Sequence, residues 1–349
     1  MSGFFKAALP YRLTSPVELL GYGISMASLQ SITRMGLVNQ LNERLNQRPS
    51  REPGVGEMTT YGWTEPYPTI RPSLAERNED PELDADGEEP TSRRLVRSVS
   101  NGNFLVLCAQ HTYRNMPASV IRQELARKVN AIEERELRRV YKKERDQLKD
   151  DVVAELLPRA FIMQRKTMAL IDTDRGIIWI NSASAKNAED LLSLLREALG
   201  SLPVRPVSSK IAPSATFTQW VRSSETPDDF YLLDHILLED TDREGGKVGA
   251  VHQDLTTESI QMHVSEGKIA TKIAIAYKDH MGFVVNDKVQ FTKIRFSDMM
   301  EDRADQQAGD DAHNDVLLDT TYYLMGNSLR DMLYDLLLHL GGEEIPQGL

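Results

Sequence analysis

Residues 166–200 read KTMALIDTDRGIIWINSASAKNAEDLLSLLREALG, and the fold is decided there. KTMALI (166–171) and GIIWINSA (176–183) are two short strand patterns, joined by Asp172-Thr173-Asp174-Arg175 as a hairpin turn. Ser184 stands at a helix N-cap, Ala188, Leu191, Leu192, Leu195 and Leu199 recur at helical spacing, and Gly200 closes the run. A hairpin followed by an amphipathic helix predicts a helix packed on a sheet.

Outward from that unit the chain alternates strand and helix signals. Upstream, FFKAALPYRL (4–13) reads as a first strand, and Thr14-Ser15-Pro16-Val17-Glu18 opens a helix that runs to about Asn46. NFLVLCAQ (103–110) is a further strand. From Pro117 to Leu157 there is no other Pro or Gly, and apolar residues recur at Ile121, Leu125, Val129, Ile132, Leu137, Val140, Leu148, Val152 and Leu156. One helix of about 60 Å, or two with a bend, satisfies that pattern. Downstream, Thr256-Thr257-Glu258 opens a short helix ending at Gly267, followed by strands over Lys268–Tyr277 and Met281–Phe296 and an apolar helix over Asp319–Leu340. Hairpins mixed with packed helices predict an α+β fold with mixed sheets and a long basic helical segment. The expected regions are 1–115, an α+β part with an acidic insertion near 65–100; 116–210, the basic helices with the hairpin and its helix; and 211–349, an α+β part with the apolar terminal helix.

The totals bound the function. With 349 residues, 40% apolar and 27% charged, the chain is an ordinary folded protein of two or three domains. Leu19–Thr33 is too short and polar to span a bilayer, and Met1–Leu9 lacks the apolar core of a signal peptide, so a cytoplasmic location is expected. The one cysteine, Cys108, lies in an apolar run and is expected to be a buried thiol. The net charge of −11 is concentrated: Glu76–Pro90 carries −7 and Asp298–Asp315 carries −6, leaving the remainder near +2. An acidic total therefore conceals basic surface.

That basic surface has two candidate locations. Between Ile121 and Asp150 ten Lys or Arg face seven acids, with Arg138, Arg139, Lys142, Lys143 and Arg145 clustered. Such a run is either a solvated helix laced by ion pairs or a track along a phosphate backbone. In the strand that follows Gly267, period two places Ile269, Thr271, Ile273, Ile275 and Tyr277 on one face and Lys268, Lys272 and Lys278 on the other. Phosphate-loop, dinucleotide, zincin and serine-hydrolase signatures are absent, as are zinc-finger and leucine-zipper motifs. No cofactor or metal is expected under the binding reading. The competing enzymatic reading is a metal-dependent DNA exonuclease in which Asp254 and Glu266 hold Mg²⁺ and Lys268 orients water.

LKDDVVAELLPRAF (148–161), the block from Met168 to Pro206, and TQWVRS (218–223) closely resemble the RdgC family of bacterial recombination-associated proteins. FFKAALPYRL, Tyr61-Gly62-Trp63, NGNFLVLCAQ, HQDLTTESI (252–260), EGKIATKIAI and LHLGGE extend the resemblance over nearly the whole chain. It implies a ring-shaped homodimer that encloses double-stranded DNA without sequence preference, restrains RecA-driven exchange in the nucleoid and is not an enzyme. It also gives Phe161 a role as the clasp where two subunits close the ring, against the plainer reading of a core residue after a helix end. His252 and Gln253 stand where the family carries lysine and glutamine before Asp-Leu-Thr, so a fixed pore charge becomes titratable. Two further departures are the acidic insertion from about Arg71 to Ser92, which in a third reading mimics DNA toward recombination enzymes, and a lengthened first helical region.

Overall fold

In a computed structural model the described residues are 5–14, 31–66, 93–100, 102–242, 245–297 and 314–345. The start of the first helix, the acidic insertion and nearly all of the acidic 298–315 stretch lie outside them. The fold is α+β, as expected, but the sheets expected to be mixed are antiparallel between all the named strands. Its strands are β1 (Ala7–Leu13), β2 (Thr59–Thr64), β3 (Val96–Val99), β4 (Phe104–Asn115), β5 (Phe161–Asp172), β6 (Ile177–Ile180), β7 (Val204–Pro206), β8 (Phe230–Glu239), β9 (Lys247–Val251), β10 (Ile269–Tyr277), β11 (Met281–Asn286) and β12 (Phe291–Phe296). The helices are α1 (Ser31–Leu45), α2 (Ala118–Glu136), α3 (Lys142–Leu156), α4 (Ala185–Leu199), α5 (Pro213–Ser223), α6 (Glu258–Ser265) and α7 (Asn314–His339).

The strands follow the order β2-β4-β5-β6-β1-β12-β11-β10-β8-β9, with β3 beside β4 and β7 beside β1, and every pairing is antiparallel. β1 joins the halves: Ala7 and Ala8 pair with β12, and Leu9–Arg12 pair with β6. Alternation along β1 and β4 feeds two cores. Leu9, Tyr11, Leu105 and Leu107 meet Leu191 and Leu195 in one cluster, while Ala8, Phe104 and Val106 share the other with Trp220, Leu329 and Leu333. The hairpin and helix at 166–200 form as expected: Ser184 Oγ accepts the Asn187 N–H, all five predicted apolar positions of α4 are buried, and Gly200 takes φ 83°.

A buried ion pair fastens α7 to the hairpin. Asp172, fully buried, accepts from Arg330 Nε at 2.6 Å and Nη2 at 2.8 Å, and also from the backbone N–H groups of Asp174 and Arg175 in its own turn. The Arg330 guanidinium lies 4.7 Å from the Phe104 ring centroid. Gly326 permits that approach, since a Cβ there would stand 2.7 Å from the same ring. Cys108 is buried and free, and burial pushes its thiol up to about 11.

Two further sequence expectations need correction. The stretch 281–296 is two strands, β11 and β12, separated by a turn in which the Asn286 carboxamide oxygen accepts from the Lys288 and Gln290 N–H groups. Strict alternation in β10 fails because the register slips between Ala270 and Lys272; Ala270, not Ile269 or Thr271, is buried in phase with Ile273. Of the two readings open for 117–157, the structure takes the second: two helices broken at Leu137, which adopts a left-handed φ of 51°. No helix among the described residues is long and apolar enough to cross a membrane.

Candidate nucleic-acid interface

α2 and α3 form an arm. It leaves the sheet after Asn115 and returns at Phe161, so the neighbouring ends of β4 and β5 are its base. Nineteen residues of α2 give it a reach of about 28 Å. Carboxylates fix its turn. Arg138 donates from Nη1 and Nη2 to Glu144 at 2.7 Å each and from Nε to Glu136 at 2.8 Å, while Glu133 accepts the Val140 N–H at 2.9 Å. The Arg138 guanidinium holds Glu144 below the usual carboxylate range, and Arg135 together with Arg138 does the same to Glu136. Arg139, Lys142, Lys143 and Arg145 are exposed and make no ion pair with any described residue. The predicted cluster is thus divided, one cation holding the turn and four left to solvent.

The second location is the outer face of β8–β12. The inner face packs Ile236, Ile273, Ile275 and Phe283 into the core. Lys272 lies on the outer face, opposite Asn286 on β11 and Leu237 on β8. A left-handed Lys293, φ 52°, coincides with a register slip in β12 that buries Ile294 and puts Arg295 opposite Gly282 on the outer face. His235 shares this surface: burial lowers its basicity first, and the Lys293 and Lys272 ammonium groups lower it further. Lys272, Lys293 and Arg295 are exposed without a described carboxylate partner.

The other predicted site residues separate. His252, at the end of β9, accompanies this face and pairs through Nδ1 with Asp234 Oδ2 at 2.7 Å. Gln253 donates its backbone N–H to the Asp234 carbonyl at 3.2 Å. Lys268 is turned away: its side chain is 14% exposed and its ammonium is bound to Asp240. Phe161 is 82% exposed at the arm base, so it is not a core residue of the chain. Lys293, Arg295, His235 and Asp234 were not singled out in the sequence. The alternation in FTKIRF (291–296) carries a signal for the first two, masked when the segment is read as one long strand.

The residues of the nuclease reading do not assemble. Asp254 caps its own turn, accepting from the Thr256 N–H and Oγ1 at 2.8 Å each. Glu266 lies at the far end of α6, 3.4 Å from His263, and Lys268 belongs to Asp240. Among the described residues no group of three His, Cys, Asp or Glu side chains is placed to hold a metal ion.

A profile of the family described as "Putative exonuclease, RdgC" matches residues 88–343. The Recombination-associated protein RdgC of Pseudomonas aeruginosa (strain LESB58) is 41% identical over 345 residues, covering 99% of each chain. That of Pseudomonas paraeruginosa (strain DSM 24068 / PA7) is 42% identical over 345 residues, again 99% of each. That of Pseudomonas syringae pv. syringae (strain B728a) is 38% identical over 346 residues, 99% of this chain and 100% of the relative. Similarity of this extent along the full length places the chain in the RdgC family of recombination-associated proteins.

Proposed function

We propose that the chain is a non-specific double-stranded DNA-binding protein that encircles the duplex as a homodimer and restrains RecA-dependent homologous recombination in the nucleoid. The observation that carries this reading is the outer face of β8–β12, where Lys272, Lys293 and Arg295 project from fixed strands with no carboxylate partner among the described residues. Cations held on a sheet meet phosphates at little cost in side-chain ordering and release the counterions condensed on the duplex. Such contacts position a duplex without reading its sequence. Arg139, Lys142, Lys143 and Arg145 supply a second set of phosphate contacts on the arm. Phe161 closes the ring against its counterpart in the partner subunit, an assignment supported by its exposure at the arm base. Restraint of RecA follows from occupancy: a duplex inside the ring is withheld from strand exchange.

The rival reading is a metal-dependent exonuclease, for which the family description is the support. One experiment separates the two. Titration of the protein onto labelled duplexes of unrelated sequence at several salt concentrations, with and without Mg²⁺, is followed by a denaturing gel of the recovered DNA. The binding reading predicts affinity that falls steeply with salt, equal affinity for the different duplexes and DNA of unchanged length. Mg²⁺-dependent shortening that disappears in Glu266→Ala overturns it, and so does tight, sequence-selective binding with a shallow salt slope.

A further inference from the structure

Between its cations the outer face of β8–β12 is apolar. Phe230 and Leu232 of β8 turn toward the core, so Tyr231 turns outward and is 53% exposed. Leu233 follows it outward because the register slips there: between the Ile275↔Leu232 and Ile273↔Ile236 pairs three residues of β8 oppose one of β10. Gly282 of β11 gives Leu233 its place. A Cβ on Gly282 would stand 3.3 Å from Leu233 Cδ1, so the leucine lies over that strand, and Arg295 of β12 is paired with the same glycine. Ala274 and Val284 pair across β10 and β11 on this side, 4% and 6% exposed, outside the core of the inner face. Lys272 in turn stands opposite Leu237.

Attraction of phosphates requires cations alone and gives no reason for apolar side chains among them. The cations of β10 and β12 are two strand spacings apart, about 10 Å, and a backbone held by both sets lays its sugars on the apolar ground between. A deoxyribose presents C–H groups to that ground, whereas a ribose presents a 2′-hydroxyl, which is both donor and acceptor. The polar side chains close by are already committed. Asn286 Oδ1 accepts from the Lys288 and Gln290 N–H groups and its Nδ2 donates to Gln290 Oε1 at 2.9 Å, while Thr292 Oγ1 donates to the Val284 carbonyl at 3.5 Å. A hydroxyl pressed against Leu233 therefore loses water without gaining a partner, which disfavours its burial.

We infer that this face selects the sugar as well as attracting the phosphate: Tyr231 and Leu233 bear on deoxyribose between phosphates held by Lys272, Lys293 and Arg295, and so distinguish a DNA duplex from an RNA duplex. The inference rests on the DNA-binding reading above. The two kinds of residue divide the work. The cations act on both nucleic acids alike, because both carry the same phosphates. The apolar pair acts on one of them, because only ribose brings a hydroxyl that the face leaves without a partner. Base sequence has no part in this discrimination, which is made on the backbone.

The test measures affinity at fixed salt for three duplexes of one sequence: all DNA, all RNA, and DNA carrying regularly spaced ribonucleotides. The proteins are wild type, Leu233→Asn, Tyr231→Ser and Lys272→Ala, with circular dichroism confirming the fold of each. Wild type is expected to bind DNA about tenfold more tightly than RNA, the effect of hydroxyls buried without partners, and to bind the ribonucleotide-bearing DNA with intermediate affinity. Leu233→Asn, which offers the hydroxyl a partner, and Tyr231→Ser should each reduce the DNA-to-RNA ratio. Lys272→Ala should weaken both duplexes together and leave the ratio as in wild type. A wild-type ratio near one overturns this inference alone. So does a ratio retained in both Leu233→Asn and Tyr231→Ser, or ribonucleotide-bearing DNA bound as tightly as DNA, since groove shape and not the sugar then decides. Absence of binding to every duplex by wild type overturns the DNA-binding reading together with it.

Discussion

The arm and the outer sheet face are both basic, but they hold their charge differently. The stretch from Ile121 to Asp150 carries ten cations, and carboxylates occupy four of them: Arg127 pairs with Glu124, Lys128 with Glu155, Arg135 with Glu136 and Arg138 with Glu136 and Glu144. The sheet face has fewer cations, yet Lys272, Lys293 and Arg295 stand unpaired among the described residues on strands backed by the core. Charge counted along a sequence overstates what a helix offers to a ligand, because nine acids share the same two helices. It understates what a sheet offers, because strands far apart in sequence pool their side chains on one face.

The largest effect should come from undermining the platform. Arg330→Ala leaves the fully buried Asp172 without its countercharge, and breaking a buried pair in this way costs about 3–5 kcal/mol. Urea unfolding should show that loss as a lower midpoint. An unchanged midpoint would mean that the clamp does not hold α7 to the sheet. Next in size is reversal of the face itself. In Lys272→Glu/Lys293→Glu/Arg295→Glu, duplex affinity should drop on the order of 100-fold, and the log–log salt slope should become shallower by about 3. Reversal of Arg139, Lys142 and Lys143 on the arm should cost less, about tenfold. Equal losses for the two sets would erase the contrast drawn above.

Smaller effects probe rigidity. Arg138→Ala opens an exposed turn and should leave the urea midpoint nearly unchanged, because exposed ion pairs are screened by solvent, with faster amide exchange confined to residues 133–145. The least effect is on pH dependence through Cys108. Its thiol is pushed up to about 11 by burial, whereas an unfolded thiol ionises near 8.5. Its contribution is therefore complete below about pH 8.5 and declines as pH rises toward 11. Native protein at pH 8 should resist iodoacetamide, and labelling should track unfolding in urea. Rapid labelling of the folded protein would contradict the burial.

How much of this was legible depended on the kind of signal. The hairpin at 166–183 and α4 were readable because turn residues, cap and apolar period agree locally. Cys108 and the strand around it were readable for the same reason. The arm was half legible: its apolar spacing allowed one helix or two, and nothing local announced a left-handed Leu137 as the break. β8 and β9 were not proposed, since FYLLDHILLE (230–239) mixes charge into an apolar run and an irregular pairing disturbs its alternation. The interface suffered most. Lys268 stands just before β10 and Lys272 within it, yet the register slip between Ala270 and Lys272 precedes a Lys272 that is open while Lys268 is tied to Asp240. Lys293 and Arg295 join Lys272 only through the order β12-β11-β10, which no local pattern encodes.

The most direct test of the sheet face as the duplex surface is lysine acetylation read by mass spectrometry, with and without saturating duplex DNA. The account predicts that Lys272 and Lys293 acetylate rapidly in the free protein and are protected by the duplex, while the ion-paired Lys268 is slow in both states. Unchanged acetylation of Lys272 and Lys293 in the presence of saturating duplex would contradict it.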